Sequence, residues 1–305
     1  MIANPSASRF TGSLHRDVCR LLATRYEVQA LWPKSAQDAR SLSSQAVADG
    51  ADLIVPMGGD GVVHHVANAA AMSGTPIGVI PAGTTNVFAR LLRLPRRPLA
   101  AAKVLVRDHR VLAQPLVEIR TDGSVDYGVF AVGFGLDAEV VEAAEQEPYR
   151  KYWFGAAHYA QTALNKFLGD IRRRPPHVRV TAGDLTADAV AGMVQFRPVY
   201  TYFGAVPLRL ATPPPSPLTV LILNEVRLRR VLRIVRSAIG VGRMADISGL
   251  SVWPGVSELS AEADPAVALQ ADGEFLGRHH KVTLRHVADA LHVVVPRHRK
   301  EAAEA

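Results

Sequence analysis

The sequence predicts an α/β + β protein, in which an N-terminal α/β domain with a parallel sheet precedes a C-terminal β-sandwich domain. Strand and helix patterns alternate through roughly the first hundred residues, as is typical of a parallel sheet. From Val111 onward, short strands are separated by Pro and Gly, which favours an antiparallel sandwich. We place the domains at residues 1–112 and 113–305, with an alternative in which the last strand returns to the first domain.

The elements of the first domain follow from apolar periodicity. A short strand ends before Asn4, and the first helix carries apolar residues on one face, at Leu14, Val18, Leu21 and Leu22. Later strands are predicted at 26–32, at 52–57 and from Pro76, and later helices at 39–49 and 62–72. The last two of these strands end in a glycine turn. Parallel sheets bind ligands at this carboxyl edge.

The second domain begins with two strands around a turn at Asp122-Gly123. Helices are predicted at about 136–147 and 151–170. The remaining strands are predicted at 177–184, 189–196, 218–226, 249–255, 257–264, 268–277, 281–286 and 290–296. We expect the ligand site in the cleft between the two domains.

Bulk composition restricts the partner and the compartment. The formal charge of +7 and the pI near 9.8 favour a nucleotide, a nucleic acid or an acidic membrane surface. Nucleic acid is not expected, because aromatic residues make up only 6% of the chain and no nucleic-acid-binding module occurs. The single cysteine, Cys19, fits a reducing compartment, and neither a signal peptide nor a long apolar segment is visible. We therefore expect a cytoplasmic protein that contacts the inner face of the membrane from the surface.

The loop Gly58-Gly59-Asp60-Gly61 lies between a predicted strand and a predicted helix. Such loops bring backbone N–H groups close to phosphate. The loop is not a Walker A motif, and His64 stands where a dinucleotide fingerprint needs its third glycine. The alternative interpretation is a tight turn whose glycines only supply positive φ.

Several further segments share a pattern with this loop. They are "ANPSAS" at 3–8, "GVIPAGTTNVFARLL" at 78–92, "FAVGFGLDAEVV" at 130–141, "YTYFG" at 200–204 and "LQADGEFLG" at 269–277. In this order they resemble the diacylglycerol kinase catalytic family, soluble lipid kinases that include the sphingosine kinases. The resemblance implies a Rossmann-like first domain of the NAD kinase/diacylglycerol kinase type. It also implies that ATP and Mg²⁺ are used to phosphorylate a lipid hydroxyl.

The candidate nucleotide-binding residues combine backbone donors with small polar side chains. They are Asn4, Ser6, Gly58, Gly59, Asp60, Gly61, Gly83, Thr84, Asn86 and Glu274. A carboxylate repels phosphate, so Asp60 fits an anion site if a divalent cation or a water network separates the two. Glu274 is included only because the resemblance implies that it helps to hold the nucleotide.

Two carboxylates are candidates for catalysis, Asp272 and Asp60. The resemblance implies that Asp272 is the general base that accepts the lipid hydroxyl proton. On local pattern alone, Asp272-Gly273 is equally a plain β-turn. Asp137 would be a supporting carboxylate, with a helix N-cap as the alternative.

The sequence departs from the family pattern at three positions: Val62 replaces a Thr, His65 a Glu and Val87 an Asp. The stretch 211–220, where the family often binds a structural Mg²⁺, contains no acidic residue. We therefore predict no structural metal there and expect catalytic Mg²⁺ to be held mainly through ATP. The adjacent histidine pairs at 64–65 and 279–280 are not expected to chelate a metal, because neighbouring side chains diverge.

A basic amphipathic helix is predicted within 226–240. Its arginines alternate with aliphatic residues, and Arg227, Arg229, Arg230 and Arg233 are the candidate membrane contacts. The alternative is an ordinary surface helix that packs on the core. The chain is also compatible with a homodimer.

These observations together predict an ATP-dependent lipid kinase that acts on diacylglycerol or a related lipid. One alternative is an NAD kinase-like enzyme, which shares the glycine loop, although the segments at 86–90 and 272–274 disfavour it. Another is a catalytically weak protein that binds nucleotide or lipid, because of Val62 and His65.

Overall fold

The structure, a computed structural model, describes residues 1–145, 175–210, 217–240 and 244–297. The chain forms two compact units. The first comprises Met1–Pro115 and the C-terminal stretch from Ala288, and the second comprises Leu116–Val287. The division therefore lies between Pro115 and Leu116, whereas the sequence placed it at 112/113.

The first unit is built on a short parallel sheet with strand order β1-β2-β3. Its strands are β1 (Ile2–Ala3), β2 (Pro56–Gly58) and β3 (Ile80–Pro81). Its helices are α1 (Gly12–Leu22), α2 (Ala36–Ala48), α3 (Asp60–Ala70), α4 (Val87–Leu91) and α5 (Pro98–Val106). The predicted α/β architecture is confirmed.

Two capping residues explain where the first helices begin. Thr11 Oγ1 accepts a hydrogen bond from Leu14 N–H at 3.1 Å, and Ser35 Oγ accepts one from Asp38 N–H at 3.1 Å. Each satisfies an N–H group that has no partner inside the helix. Val18 of α1 is then fully buried in the core of the unit.

The strand predicted at 26–32 is wrong in extent. Only Leu31 forms a bridge, parallel to Ile2, and Leu31 N–H donates to Met1 O at 2.8 Å. The segment lies beside β1. Its polar residues Glu27 and Gln29 are exposed, so the segment has no continuous apolar face to bury. A strand with little apolar surface to bury is weakly stabilised.

The second unit is dominated by a ten-stranded sheet in which the pairings are antiparallel. Its strands are β4 (His109–Arg120), β5 (Val125–Gly128), β6 (Ala131–Gly135), β7 (Val178–Ala182), β8 (Leu185–Ala189), β9 (Ala191–Gln195), β12 (Leu218–Leu223), β13 (Leu250–Val256), β14 (Glu258–Ala271) and β15 (Glu274–Pro296). A separate hairpin joins β10 (Thr201–Phe203) to β11 (Val206–Leu208).

The sheet branches at β14, which explains how it encloses a core. Leu269 of β14 pairs with Phe134 of β6, and Ala261 pairs with Val180 of β7. Both branches contribute fully buried side chains to one hydrophobic cluster. The predicted antiparallel β domain is confirmed, and its strands belong to one branched sheet.

The α-helices in the described part of the second unit are α6 (Leu136–Glu145) and α7 (Leu228–Ala238). The helix predicted at 151–170 and residues 211–216 of the stretch predicted to lack a structural metal lie outside the described residues. Within the described ranges, none of the helices has the length and apolar character that a membrane-spanning helix needs.

Candidate functional site

Three loops follow the three parallel strands of the first unit. They comprise residues 4–8 after β1, 58–61 after β2 and 83–86 after β3. Because the strands are adjacent and parallel, the loops leave the same edge of the sheet. Thr84 Oγ1 donates to Ser8 Oγ at 3.2 Å, which joins the first loop to the third. All the nucleotide-binding candidates of the first unit lie in this three-loop cradle.

Gly83 is needed for the close approach of the third loop to the glycine loop. A Cβ added to Gly83 would lie 2.5 Å from Gly59 Cα, a distance that no side chain tolerates. Gly59 itself has φ −87° and ψ −171°, a backbone conformation that any residue adopts. The alternative interpretation, that these glycines only supply positive φ, is therefore wrong for Gly59. The glycine loop and the third loop instead contact each other through their backbones.

Asp60 connects the same two loops. Its Oδ2 accepts a hydrogen bond from Val87 N–H at 2.9 Å and its Oδ1 accepts one from Phe88 N–H at 3.2 Å. The carboxylate thus satisfies donors at the N-terminus of α4, where negative charge is stabilising. These contacts give the Asp60 side chain a structural role.

The two asparagines of the cradle shape their own loops. Asn86 lies in the left-handed region with φ +50°, its Oδ1 accepts from Gly83 N–H at 2.9 Å, and its Nδ2 donates to Gly83 O at 2.6 Å. Asn4 Oδ1 accepts from Ser6 N–H at 2.9 Å, an Asx turn. The buried Asn86 amide is thus bonded within its own loop, and its role in binding nucleotide stays a prediction. Ser6 and Thr84 are exposed.

Described residues provide no metal cluster of their own. Among them, no group of three or more His, Cys, Asp or Glu side chains is arranged to hold a metal ion. The His64 and His65 rings make a T-shaped contact with 5.1 Å between their centroids.

Asp272 lies in the two-residue turn between β14 and β15. Asp272 and Gly273 have φ +58° and +85°, and Ala271 pairs with Glu274. Positive φ at both central residues is the type I′ hairpin geometry, in which Asp-Gly is favoured. The plain-turn interpretation is thus correct for the backbone, and the side chain decides whether the turn does more.

The Asp272 carboxylate is buried and held by successive backbone donors. Val129 N–H donates to Oδ2 at 2.8 Å, and Phe130 and Ala131 N–H donate to Oδ1 at 2.8 and 3.0 Å. Consecutive N–H groups of this kind form a concave anion-binding nest. The turn is therefore fixed to the β5–β6 connection through its charged side chain.

A buried cation lies near this carboxylate. Arg197 Nε donates to Val129 O at 3.1 Å. Burial lowers the pKa of Arg197 to about 10, and the charge of Asp272 opposes that shift. Arg197 consequently remains a cation at neutral pH.

Asp137 belongs to a hydrogen-bonded cluster that reaches the same turn. Tyr200 OH and Gln270 Nε2 each donate to Asp137 Oδ2 at 2.7 Å, and Gln270 Oε1 accepts from Gly273 N–H at 3.0 Å. Burial raises the pKa of Asp137, against the effect of these two hydrogen bonds. Burial, and then the Asp137 charge, raises the pKa of Tyr200 well above its ordinary value. Asp137 is thus linked to the turn through Gln270, while Glu274 begins β15 and is half-buried.

Sequence reasoning missed Arg197, Tyr200 and Gln270. Tyr200 and Gln270 lie within the family-like segments at 200–204 and 269–277, and these segments could have indicated them as site residues. Arg197 had no local signal, because its partner Val129 is distant in the chain.

The residues at the three departure positions pack into the fold. Val62 and Val87 are buried, and the Val62 Cγ2 atom would lie 2.8 Å from a Cβ at Gly58. The Val87 backbone, rather than its side chain, contacts Asp60. Valine at 62 and 87 therefore supports the shape of the loops. His65 lies on α3 beside His64.

The predicted set of membrane-facing arginines needs one correction. Arg230 is only 8% exposed, and its two Nη atoms donate to Glu225 O and Glu225 Oε1, both at 2.8 Å. It points into the unit because the helix period places it on the inner face of α7. Arg227, Arg229 and Arg233 are exposed, with Arg227 Nε 3.0 Å from Glu225 Oε1.

Comparison with known proteins agrees with this geometry. The sequence profile of the diacylglycerol kinase catalytic domain matches residues 1–115. A protein of Mycobacterium tuberculosis (strain CDC 1551 / Oshkosh) named diacylglycerol kinase is 41% identical over 135 residues, which cover 43% of this chain and 43% of that protein. The match thus spans less than half the length of this relative.

Solved structures extend the likeness over nearly the whole fold. A crystal structure of a diacylglycerol kinase from Bacillus anthracis str. Sterne has a TM-score of 0.66 at 17% identity and covers 96% of this chain and 95% of its own. An NAD kinase from Archaeoglobus fulgidus in complex with ATP has a TM-score of 0.53 at 13% identity, covering 98% and 93%. Residues 1–115 therefore resemble the diacylglycerol kinase catalytic domain, within an overall fold similar to those of these two structures.

Proposed function

We propose that this protein is an ATP-dependent lipid kinase, which transfers the γ-phosphoryl group to the hydroxyl of diacylglycerol or a related lipid. The observation that carries the proposal is the three-loop cradle, which lies within the residues that match the diacylglycerol kinase catalytic domain. The name of the M. tuberculosis relative supports the lipid as acceptor.

The cradle would bind the phosphates of ATP through backbone N–H groups. Gly59 is the N-cap of α3, so the first N–H groups of that helix lie in the glycine loop. Helix N-termini and close-packed glycine loops bind anions without a basic side chain. The exposed hydroxyls of Ser6 and Thr84 would add hydrogen bonds. Mg²⁺, when bound with ATP, would neutralise phosphate charge.

Asp272 would act as the general base. The acceptor hydroxyl loses its proton to the Asp272 carboxylate as its oxygen bonds to the γ-phosphorus. The bond from that phosphorus to the bridging oxygen of ADP breaks, and ADP leaves. The nest at 129–131 would hold the carboxylate in place before the transfer, with the Arg197 cation nearby. Asp137 and Gln270 would position the turn, and Glu274 would contact the nucleotide.

One labelling experiment tests the proposal. The protein is incubated with Mg²⁺ and γ-labelled ATP in the presence of diacylglycerol, a long-chain base or NAD, and the products are separated. We expect label in a lipid phosphate. Label only in NADP would instead identify an NAD kinase, an alternative that the shared fold keeps in view. ATP binding without label in any product would identify a binding protein.

A further inference from the structure

The inner face of helix α7 fixes its orientation in the second unit. Arg230, Ile234 and Ala238 follow one another at four-residue spacing and are buried. Arg230 is further held by its two hydrogen bonds to Glu225. The side chains on the opposite side of the helix must therefore point outward.

An aliphatic stripe lies on the outward side. Leu232, Val235 and Ile239 are 55%, 50% and 44% exposed, and their spacing of three and four residues places them on one face. Scattered exposed aliphatic residues are common, but three on one helical face form a patch that marks an interaction site.

A cationic stripe lies beside the aliphatic one. Arg229, Arg233 and Arg236 are also exposed and are again spaced by four and three residues. The helix Leu228–Ala238 contains no Asp or Glu that could neutralise them. An aliphatic stripe next to arginines is the pattern of a helix that lies in a membrane interface.

The β10–β11 hairpin adjoins this helix. Arg209 N–H, just after β11, donates to Ala238 O at 2.7 Å. Phe203 and Val206 are directly paired across the tip of the hairpin and are 48% and 44% exposed. The hairpin therefore adds two large apolar side chains to this part of the unit.

We propose that the outward side of α7 is a docking face for an anionic lipid bilayer, with Leu232, Val235 and Ile239 inserted among the lipids and Arg229, Arg233 and Arg236 at the level of the phosphates. Charge complementarity selects this occupant over a second copy of the chain. A symmetric dimer through the same face would oppose two arginine stripes. The proposal concerns binding alone and does not depend on kinase activity.

Vesicle sedimentation with variants of the full chain tests the cationic stripe. Vesicles of phosphatidylcholine, with or without about one third phosphatidylglycerol, are compared at low and high salt. We expect the wild type to bind the anionic vesicles and to be released by salt. Arg229→Gln/Arg233→Gln/Arg236→Gln should lose at least roughly 10-fold in vesicle affinity, since each basic residue near an anionic surface contributes about 1 kcal/mol.

A matched control separates this face from general charge attraction. Arg16→Gln/Arg20→Gln/Lys103→Gln removes the same charge from exposed residues of α1 and α5 and should retain affinity within roughly 3-fold. Equal losses in the two triple variants would overturn the proposal, because binding would then depend on net charge alone.

The aliphatic stripe is tested in the same assay. Leu232→Ser/Val235→Ser should weaken vesicle binding, whereas Val125→Ser/Leu185→Ser, at exposed aliphatic residues elsewhere in the unit, should not. Thermal melts verify that each variant is folded, which is expected because all these side chains are exposed. Unchanged binding of Leu232→Ser/Val235→Ser would overturn insertion. A second result would also overturn the proposal: a protein that does not bind vesicles but forms a dimer, which these substitutions dissociate. In that case a second copy of the chain would cover the face.

Discussion

Asp60 and Val87 belong to different loops and are joined by a hydrogen bond of 2.9 Å from Val87 N–H to Asp60 Oδ2. The Asp60 carboxylate also accepts from Phe88 N–H, so one side chain caps the helix that follows the third loop. The Asp60 carboxylate therefore connects the glycine loop to the third loop.

Replacing Asp60 with Ala should lower both stability and ATP affinity. Two N–H groups lose their acceptor, which costs about 1–3 kcal/mol when such groups are left unsatisfied. Asp60→Asn keeps one acceptor oxygen and should cost less. Urea unfolding measures the first effect and calorimetric titration with Mg·ATP the second. Wild-type stability of Asp60→Ala would show that the Asp60–Val87 contact does not hold the loops.

The contact between Gly59 and Gly83 predicts opposite outcomes for two similar substitutions. A methyl group at Gly83 would collide with the Gly59 backbone, so Gly83→Ala should destabilise by about 1–3 kcal/mol. A Cβ at Gly59 lies 3.5 Å from Gly83 Cα, an ordinary contact, so Gly59→Ala should stay within about 0.5 kcal/mol of the wild type.

Because Gly59→Ala is expected to stay folded, its ATP affinity tests whether the glycine loop binds nucleotide. The larger Gly59→Val should reduce ATP affinity further, because its side chain occupies space that the phosphate would need. Both are measured by calorimetry after a thermal melt. Full ATP affinity in folded Gly59→Val would count against the cradle as a phosphate site.

Asp272→Asn should affect the fold as well as turnover. The amide cannot accept the hydroxyl proton, so kcat should fall by roughly 10²–10⁴. The carboxylate accepts three hydrogen bonds from backbone N–H groups at 129–131, and the NH₂ group of the asparagine would have to face one of these donors. We expect the free energy of unfolding to fall by about 1–3 kcal/mol. ATP affinity should be nearly unchanged.

Asp289→Asn is the matched control for Asp272→Asn. Asp289 also has positive φ, at +52°, but is exposed. It should keep wild-type turnover and stability. If folded Asp272→Asn turned over at the rate of Asp289→Asn, Asp272 would have no part in the transfer.

The raised pKa of Asp137 predicts how the free energy of unfolding depends on pH. Its pKa is raised from the ordinary 3.8, so the folded protein binds this proton more tightly than the unfolded chain does. The free energy of unfolding that this group contributes therefore decreases as the pH rises from 3.8 through the raised pKa. Asp137→Asn lacks this proton, and its Oδ1 can still accept from Tyr200 and Gln270.

Urea unfolding at a series of pH values measures the effect. The stability of wild type relative to Asp137→Asn should decline from acidic to neutral pH. A difference that is constant with pH, or that rises, would contradict the assigned environment of the carboxylate.

Local pattern was enough to predict the alternation of strands and helices and the turn at Asp272. Apolar periodicity reports which face of an element is buried, and Asp-Gly reports a turn through its tolerance of positive φ. The same pattern overestimated the strand at 26–32, because pairing there depends on the neighbouring strand more than on the segment itself.

The contacts of the site could not be predicted, because they join distant residues. Nothing near Asp272 in the sequence indicates that its carboxylate is bound by 129–131, and nothing near Asp60 indicates Val87. Arg230 was assigned to the surface because it lies among exposed arginines. Only the helix's rotation about its axis, set by packing, places it inside.

The return of the C-terminal stretch to the first unit has a consequence for synthesis on the ribosome. Ile77 N–H donates to His292 O and Val294 N–H donates to Ile77 O, both at 2.9 Å, so the first unit contains backbone pairing that uses late residues. During translation, residues 1–115 emerge long before these partners do. We expect the nascent N-terminal segment to remain incompletely folded until the second unit has been made, which gives chaperones that bind exposed apolar chain a prolonged opportunity to act on it.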